Sequence, residues 1–226
     1  MMNIIVLATG NKNKVKEIRE LLKDSPVEIK CIADYGPLPP VMEDGDTFEE
    51  NAYKKAYHYA RVLGLPCLAD DSGLVVEALD GKPGVHSARY AGENATDLEK
   101  CDKLLREMQG KDNRKARFEC VLSLATPGGP ALTWEGSCEG EITAERHGES
   151  GFGYDPVFYY PDFGKTFAEV SMEEKNRVSH RGKALQEFAA EFDKVLVWLG
   201  QRLLEQKPPK PDHNQFENKD WSDEME

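Results

Sequence analysis

Four stretches of this sequence carry residue types suited to phosphate and metal chemistry. Thr9-Gly10-Asn11-Lys12-Asn13-Lys14 puts a hydroxyl, an amide, two lysines and free backbone N–H groups where an apolar run gives way to a helical pattern. Unpaired N–H groups and the macrodipole draw anions to a helix start, glycine admits them close to the backbone, and lysines neutralise them. Neither GxxxxGK[ST] nor GxGxxG is present, so a capped turn with solvated lysines is the simpler reading of these six residues alone. Glu43-Asp44-Gly45-Asp46 and Asp70-Asp71-Ser72-Gly73 supply carboxylates, the hard oxygen ligands that Mg²⁺ takes one or two at a time beside substrate phosphates. Acidic turns are also commonplace. The second cluster follows an apolar strand directly, and open α/β sheets bind ligands in the crevice at strand carboxyl ends.

Phe152-Gly153-Tyr154-Asp155-Pro156 lies between Gly148 and Gly151 on one side and Val157-Phe158-Tyr159 on the other. It holds two rings and a carboxylate on a constrained turn. An exposed ring would stack on a nucleobase, whereas a buried one would belong to the core. Lys175 and Ser179-His180-Arg181-Gly182 gather hydrogen-bond donors around a helix start, suiting a purine oxo group or a phosphate oxygen.

The elements that must position these groups are readable from periodicity. Ile4 to Ala8 reads as a buried parallel strand, followed by a helix with Val15, Ile18, Leu21 and Leu22 on its apolar face. Thr47-Phe48-Glu49-Glu50 has the form of a capping box, opening a helix whose stripe runs through Ala52, Lys55, Ala56 and Tyr59 to Gly64. Lys55 on that stripe either snorkels outward or points into a cleft. Leu65 to Ala69 reads as a short buried strand that ends at Asp70-Asp71. Thr96-Asp97-Leu98-Glu99 is a second capping box, with Leu98, Cys101, Leu104, Leu105 and Met108 expected on the buried face. Alternation from Phe118 to Leu124, a Gly128-Gly129-Pro130 turn and a strand from Ala131 to Glu135 make an antiparallel pair, so the sheet is mixed. Ser171 caps a short helix carrying Lys175, and Ser179 caps a longer one whose apolar face runs from Ala184 to Leu203.

The chain has 226 residues, enough for one large domain or two lobes around a cleft. Its 29 Lys and Arg against 41 Asp and Glu give a net charge of −12, which argues against a nucleic-acid-coating role. No apolar run is long enough to span a bilayer. Five scattered cysteines without CxxC spacing read as buried thiols, and with no basic n-region at the start a cytoplasmic location is expected. Residues 1–206 read as one two-lobed α/β domain. Residues 207–226, with Pro208, Pro209 and Pro211 and three lysines against six acids, read as a disordered tail.

Taken together in chain order, these motifs resemble the inosine triphosphate pyrophosphatase family, the Ham-type enzymes. The resemblance rests on Ala8-Thr9-Gly10-Asn11 with Lys14, Glu43 before Gly45-Asp46-Thr47-Phe48, Glu50-Asn51-Ala52 with Lys55-Ala56, and Ala69-Asp70-Asp71-Ser72-Gly73-Leu74. It continues through Pro83-Gly84-Val85-His86-Ser87-Ala88-Arg89-Tyr90-Ala91-Gly92, Gly151 to Pro156, Glu174-Lys175 and Ser179 to Gly182. It implies an elongated mixed α/β fold with two lobes flanking a deep cleft, and a homodimer. The implied reaction is Mg²⁺-dependent hydrolysis of non-canonical purine nucleoside triphosphates (ITP, dITP, XTP) to monophosphate and pyrophosphate. A triphosphate sensor and a phosphatase releasing orthophosphate are the rival readings.

By the same resemblance, Thr9, Asn11 and Lys14 hold phosphates within the turn that includes Gly10, Lys12 and Asn13, and Lys55 faces them. Glu43 and Asp71 hold the metal, Asp71 helps activate water, and Asp70 shares either task. Phe152 stacks on the base beside Gly153, with Tyr154 and Asp155 shaping the pocket and Ser72 close to the substrate. Lys175, His180 and Arg181 donate to the base edge, and donors facing position 6 bond to a keto oxygen but leave adenine's amino group unpaired.

Overall fold

The structure is a computed structural model that describes residues 3–205; the expected tail from 207 onward lies outside the described residues. Seven strands form one mixed sheet in the order β2-β1-β3-β4-β5-β6-β7. The apolar run near the start forms β1 (Asn3–Leu7), parallel to β2 (Val27–Cys31) on one side and to the start of β3 (Cys67–Val76) on the other. Between β1 and β2 lies α1 (Lys12–Leu21), and before β3 lies α2 (Phe48–Leu63).

β3 departs from expectation. It does not stop at Asp70 but runs on through Val76, because β4 (Lys115–Ala125) pairs antiparallel with it along its whole length. Its parallel pairing with β1 covers only Val6–Cys67 and Leu7–Leu68, so the two aspartates emerge just beyond the carboxyl end of β1 while remaining within a strand. β5 (Ala131–Ile142) likewise extends past Glu135, since β4 offers partners over eleven positions and then β6 (Phe158–Tyr160) takes over. The short β7 (Lys165–Thr166) closes the edge.

Helix ends follow the capping chemistry of the sequence. Thr47 accepts from the Glu50 N–H, although the Glu50 carboxylate bonds the Asp46 N–H, one residue earlier than a full capping box requires. Gly64 ends α2 in the left-handed region, with its N–H on the Ala60 carbonyl. Thr96 and Glu99 complete a reciprocal box on α3 (Asp97–Glu107), as do Ser171 and Glu174 on α4 (Met172–Val178). Leu98 is 56% exposed, so the buried face of α3 is narrower than expected and centres on Cys101 and Leu104, with Met108 just beyond. The long C-terminal helix is two helices, α5 (His180–Ala190) and α6 (Phe192–Glu205), broken at Glu191.

Ser179 ends α4 and caps α5 at once, giving its N–H to the Lys175 carbonyl and accepting from the Gly182 N–H. A Cβ on Gly182 would lie 1.8 Å from the Asn176 carbonyl oxygen, so glycine is obligatory at this corner. The corner thereby fixes Lys175, His180 and Arg181 relative to one another.

The core is built in layers. One face of β1, β3 and β4 packs Ile5, Leu7, Leu68, Leu122 and Leu124 against α1, α5 and α6. The other face packs Val6, Ala8 and Ala69 against Ala56, Tyr59 and Ala60 of α2. A further cluster, Leu74, Leu104, Met108, Phe118, Phe158 and Phe167, lies under α3 toward the far ends of the long strands. Burying each such large side chain contributes about 1.5–3 kcal/mol, so both ends of the sheet are independently anchored. The site sits between these cores. Among the described residues no helix is long and apolar enough to cross a membrane, and all five cysteines are buried and unpaired.

Candidate active site

A cleft of about 380 Å³ brings together residues from nearly every expected motif. Asn11, Lys14, Glu43, Lys55, Asp70, Asp71 and Ser72 line it toward the first helix, and Phe152, Gly153, Tyr154, Asp155, Lys175, His180 and Arg181 line it toward the aromatic turn. Thr9 and Gly10 belong to the adjoining turn, where the Thr9 hydroxyl accepts from the Asn11 N–H at 3.1 Å, and Lys12 and Asn13 open α1.

The adjacent aspartates occupy opposite electrostatic settings. Asp70 accepts from Lys14 Nζ at 2.9 and 2.7 Å and from Arg181 Nη2 at 2.9 Å. Burial would raise its pKa, but the charges of Lys14 and Arg181 hold its carboxyl well below the usual range. Asp71 has no such pair of cations. Burial pushes it up to about 6, with the Glu43 charge adding to the effect and Lys55 opposing it. Asn51 and the Ser72 N–H hydrogen-bond this carboxylate, yet its Oδ2 is buried with no partner among the described residues.

Lys55 resolves toward the cleft. Its Nζ lies 2.7 Å from Glu43 Oε2 and donates to the Asp70 carbonyl at 3.0 Å. α2 also supplies Asn51, fully buried, whose side chain bonds both the N–H and the carbonyl of Gly45 and so fixes the loop that presents Glu43. Among the described residues no group of three or more His, Cys, Asp or Glu could hold a metal. Two carboxylates with one orphaned buried oxygen instead suit a cation that completes its shell from substrate and water.

At the other end the Phe152 ring is 47% exposed, which excludes a core role, while Tyr154 is buried and donates its hydroxyl to the Ser87 carbonyl. Gly151 has φ +79°, and a Cβ there would meet the Asp155 carboxylate at 2.3 Å. That carboxylate accepts from the Phe152 N–H at 2.9 Å and pairs with the buried Lys175, whose Nζ stands 4.1 Å over the Phe152 ring. His180 stacks on Phe118 at 4.8 Å, and its Nδ1 is buried without a partner among the described residues. Burial first, then the charges of Arg181 and Lys175, drive its pKa well below the ordinary histidine value, so a neutral ring faces the cleft. Arg181, expected at the base edge, is also bonded to Ser72 Oγ at 3.1 Å and bridges the two ends.

Sequence reasoning missed Asp97 and Lys100, which line the cleft from α3. Their only sequence signal was a helix cap. Ser87, part of the Pro83 to Gly92 motif, and Phe118, read as a strand residue, were given no role at the site, because their places there depend on pairing across the fold.

Residues 5–191 match the sequence model of the Ham1 family, and the chain belongs to that family. It is 63% identical over 222 residues to a protein named dITP/XTP pyrophosphatase from Desulfotalea psychrophila, covering 98% of this chain and 100% of that protein. A protein of the same name from Syntrophobacter fumaroxidans is 59% identical over 90% of this chain and 88% of its own length. Among solved structures, a HAM1 protein from Coxiella burnetii superposes with a TM-score of 0.83 at 44% identity, covering 85% of this chain and 100% of that one.

Proposed function

We propose that this protein hydrolyses non-canonical purine nucleoside triphosphates (ITP, dITP and XTP) to the monophosphate and pyrophosphate. The observation that carries this reading is the buried Asp71 Oδ2, without a partner among the described residues, beside Glu43 and Lys55 in the same cleft as the exposed ring of Phe152. The printed names of the relatives support it.

Glu43 and Asp71 would hold Mg²⁺, which when bound supplies charge neutralisation and acidifies a coordinated water. Asp71 takes up the proton of the attacking water. Lys14, Lys55 and the turn through Thr9, Gly10, Asn11, Lys12 and Asn13 neutralise and orient the phosphates, the main requirement of phosphoryl transfer. Asp70 serves as the counter-ion that aligns Lys14 and Arg181, a division of labour between neighbouring carboxylates that follows from their different partners. Phe152 stacks on the base; Lys175, His180 and Arg181 supply donors to its edge, beside Ser72, Gly153, Tyr154 and Asp155. Such donors bond to a 6-keto oxygen, the acceptor, and leave the amino group of adenine facing another donor without a partner.

The chain acts as a homodimer, measurable by light scattering, and the five buried thiols fit a reducing cytoplasm. Incubation with ITP and Mg²⁺ should release pyrophosphate, with ATP turned over far more slowly. Orthophosphate as the product would overturn the reading in favour of a phosphatase, and tight binding without turnover would indicate a sensor.

A further inference from the structure

The turn that presents Phe152 is gripped by an element outside the motifs that define the cleft. Phe152 is flanked by Gly151 at φ +79° and Gly153 at φ +63°, so its backbone is intrinsically permissive and must be fixed by external bonds. Two consecutive N–H groups are held by two carboxylates. The Phe152 N–H goes to Asp155, within the turn itself, at 2.9 Å. The Gly153 N–H goes to Asp97 Oδ2 at 2.6 Å, across 56 residues of chain.

The other oxygen of Asp97 lies 2.6 Å from Lys100 Nζ, one turn along α3, and the Lys100 side chain is only 12% exposed. Cys101, four residues after Asp97 and therefore on the same helix face, donates its thiol to the Gly153 carbonyl at 3.3 Å. Both polar groups of the Gly153 backbone are thus taken by α3. The cap of α3 does not require Asp97, since Thr96 and Glu99 complete that box between themselves. Charged hydrogen bonds such as Asp97 to Gly153 are the strong class, and losing one partner frees the other.

We propose that Asp97, aimed by Lys100, is a positioning residue for the purine base: it sets the orientation of the Phe152 ring and so governs base binding, leaving the phosphate end untouched. The inference deepens the pyrophosphohydrolase reading and rests on it.

The test compares full-length wild type with Asp97→Ala, Asp97→Asn and Lys100→Met, using two probes of the two ends. Inosine monophosphate reports the base end and inorganic tripolyphosphate the phosphate end, each measured by calorimetry, alongside KM and kcat for ITP. Asp97→Ala should weaken inosine monophosphate binding and raise KM roughly tenfold, with kcat and tripolyphosphate binding little changed. Asp97→Asn, which retains an acceptor for the Gly153 N–H, should recover most of the loss, and Lys100→Met should fall between. A fall in Tm with unchanged inosine monophosphate binding would overturn the inference and make Asp97 a purely structural residue. Equal weakening of both probes would overturn it as well. Should Asp97→Ala fail to fold, Lys100→Met reads the same selectivity. If the wild type released no pyrophosphate from ITP while Asp97→Ala still lost only inosine monophosphate binding, the enzymatic reading would fall and the clamp would stand.

Discussion

Asp70 and Asp71 stand next to each other in β3 but face opposite sides of the sheet, one clamped between Lys14 and Arg181, the other sharing a buried corner with Glu43 and Lys55. One carboxylate is therefore saturated with positive charge, and the other is short of it. Substitutions of the same kind at these neighbours should have opposite effects on stability.

Asp71→Asn should lower kcat by about 10²–10⁴-fold, the usual range for a lost general base. It should also stabilise the metal-free protein at alkaline pH. A folded-state pKa of about 6, above the unfolded value, means that Asp71 favours folding while protonated and that this contribution is lost as pH rises through 6. The cost of the ionised form is on the order of 3 kcal/mol, which asparagine removes. Thermal melts at pH 4 and pH 8 should show the variant gaining on wild type only at the higher pH, and Mg²⁺ should raise the Tm of wild type alone. A lower Tm for the variant at pH 8 would refute the assignment.

Asp70→Asn should destabilise the fold by roughly 2–4 kcal/mol, because Lys14 and Arg181 would be left facing each other without their shared anion. Urea denaturation measures this directly. A variant as stable as wild type would mean that the two cations find other partners.

Lys55→Met keeps the length and apolar stem of the side chain, so the urea midpoint should shift little. Turnover should fall roughly a hundredfold through loss of a cation from the cleft. Normal turnover would place the ammonium outside the reaction and return it to a simple partner of Glu43.

Phe152→Ala removes a half-exposed ring and should leave stability within about 0.5 kcal/mol of wild type. KM for ITP should rise roughly ten- to hundredfold, the range expected for lost base–aromatic stacking, with kcat less affected. An unchanged KM would show that the base stacks elsewhere.

Much of this arrangement was legible before any coordinates. β1, the first glycine turn and the caps at Thr47, Thr96, Ser171 and Ser179 follow from local chemistry, and Lys55 on an apolar stripe already hinted at a cleft. The extent of β3 was not legible, because Ser72-Gly73 looks like a turn in one dimension and becomes strand only when β4 supplies a ladder along it. The break between α5 and α6 carries no glycine or proline; there Trp134 of β5 donates to the Glu191 carboxylate at 3.0 Å, a contact with no sequence signature. Asp97 was masked by a local explanation that was correct for its neighbours. Its bond to Gly153 belongs to the tertiary structure alone.

β3 pairs with β4 at all ten of its positions and with β1 at only the first two, and this determines what can move when a nucleotide enters. Asp70 and Asp71 ride on a backbone bolted into the middle of the sheet, the jaw of a vice that stays still. The turn before α1 and the Gly151–Asp155 turn, which meet a ligand from outside the sheet, are held by a few side-chain hydrogen bonds and not by a ladder, so rearrangement on binding falls to them. Mutations that stiffen those bends should slow capture and release while sparing the geometry of the acids.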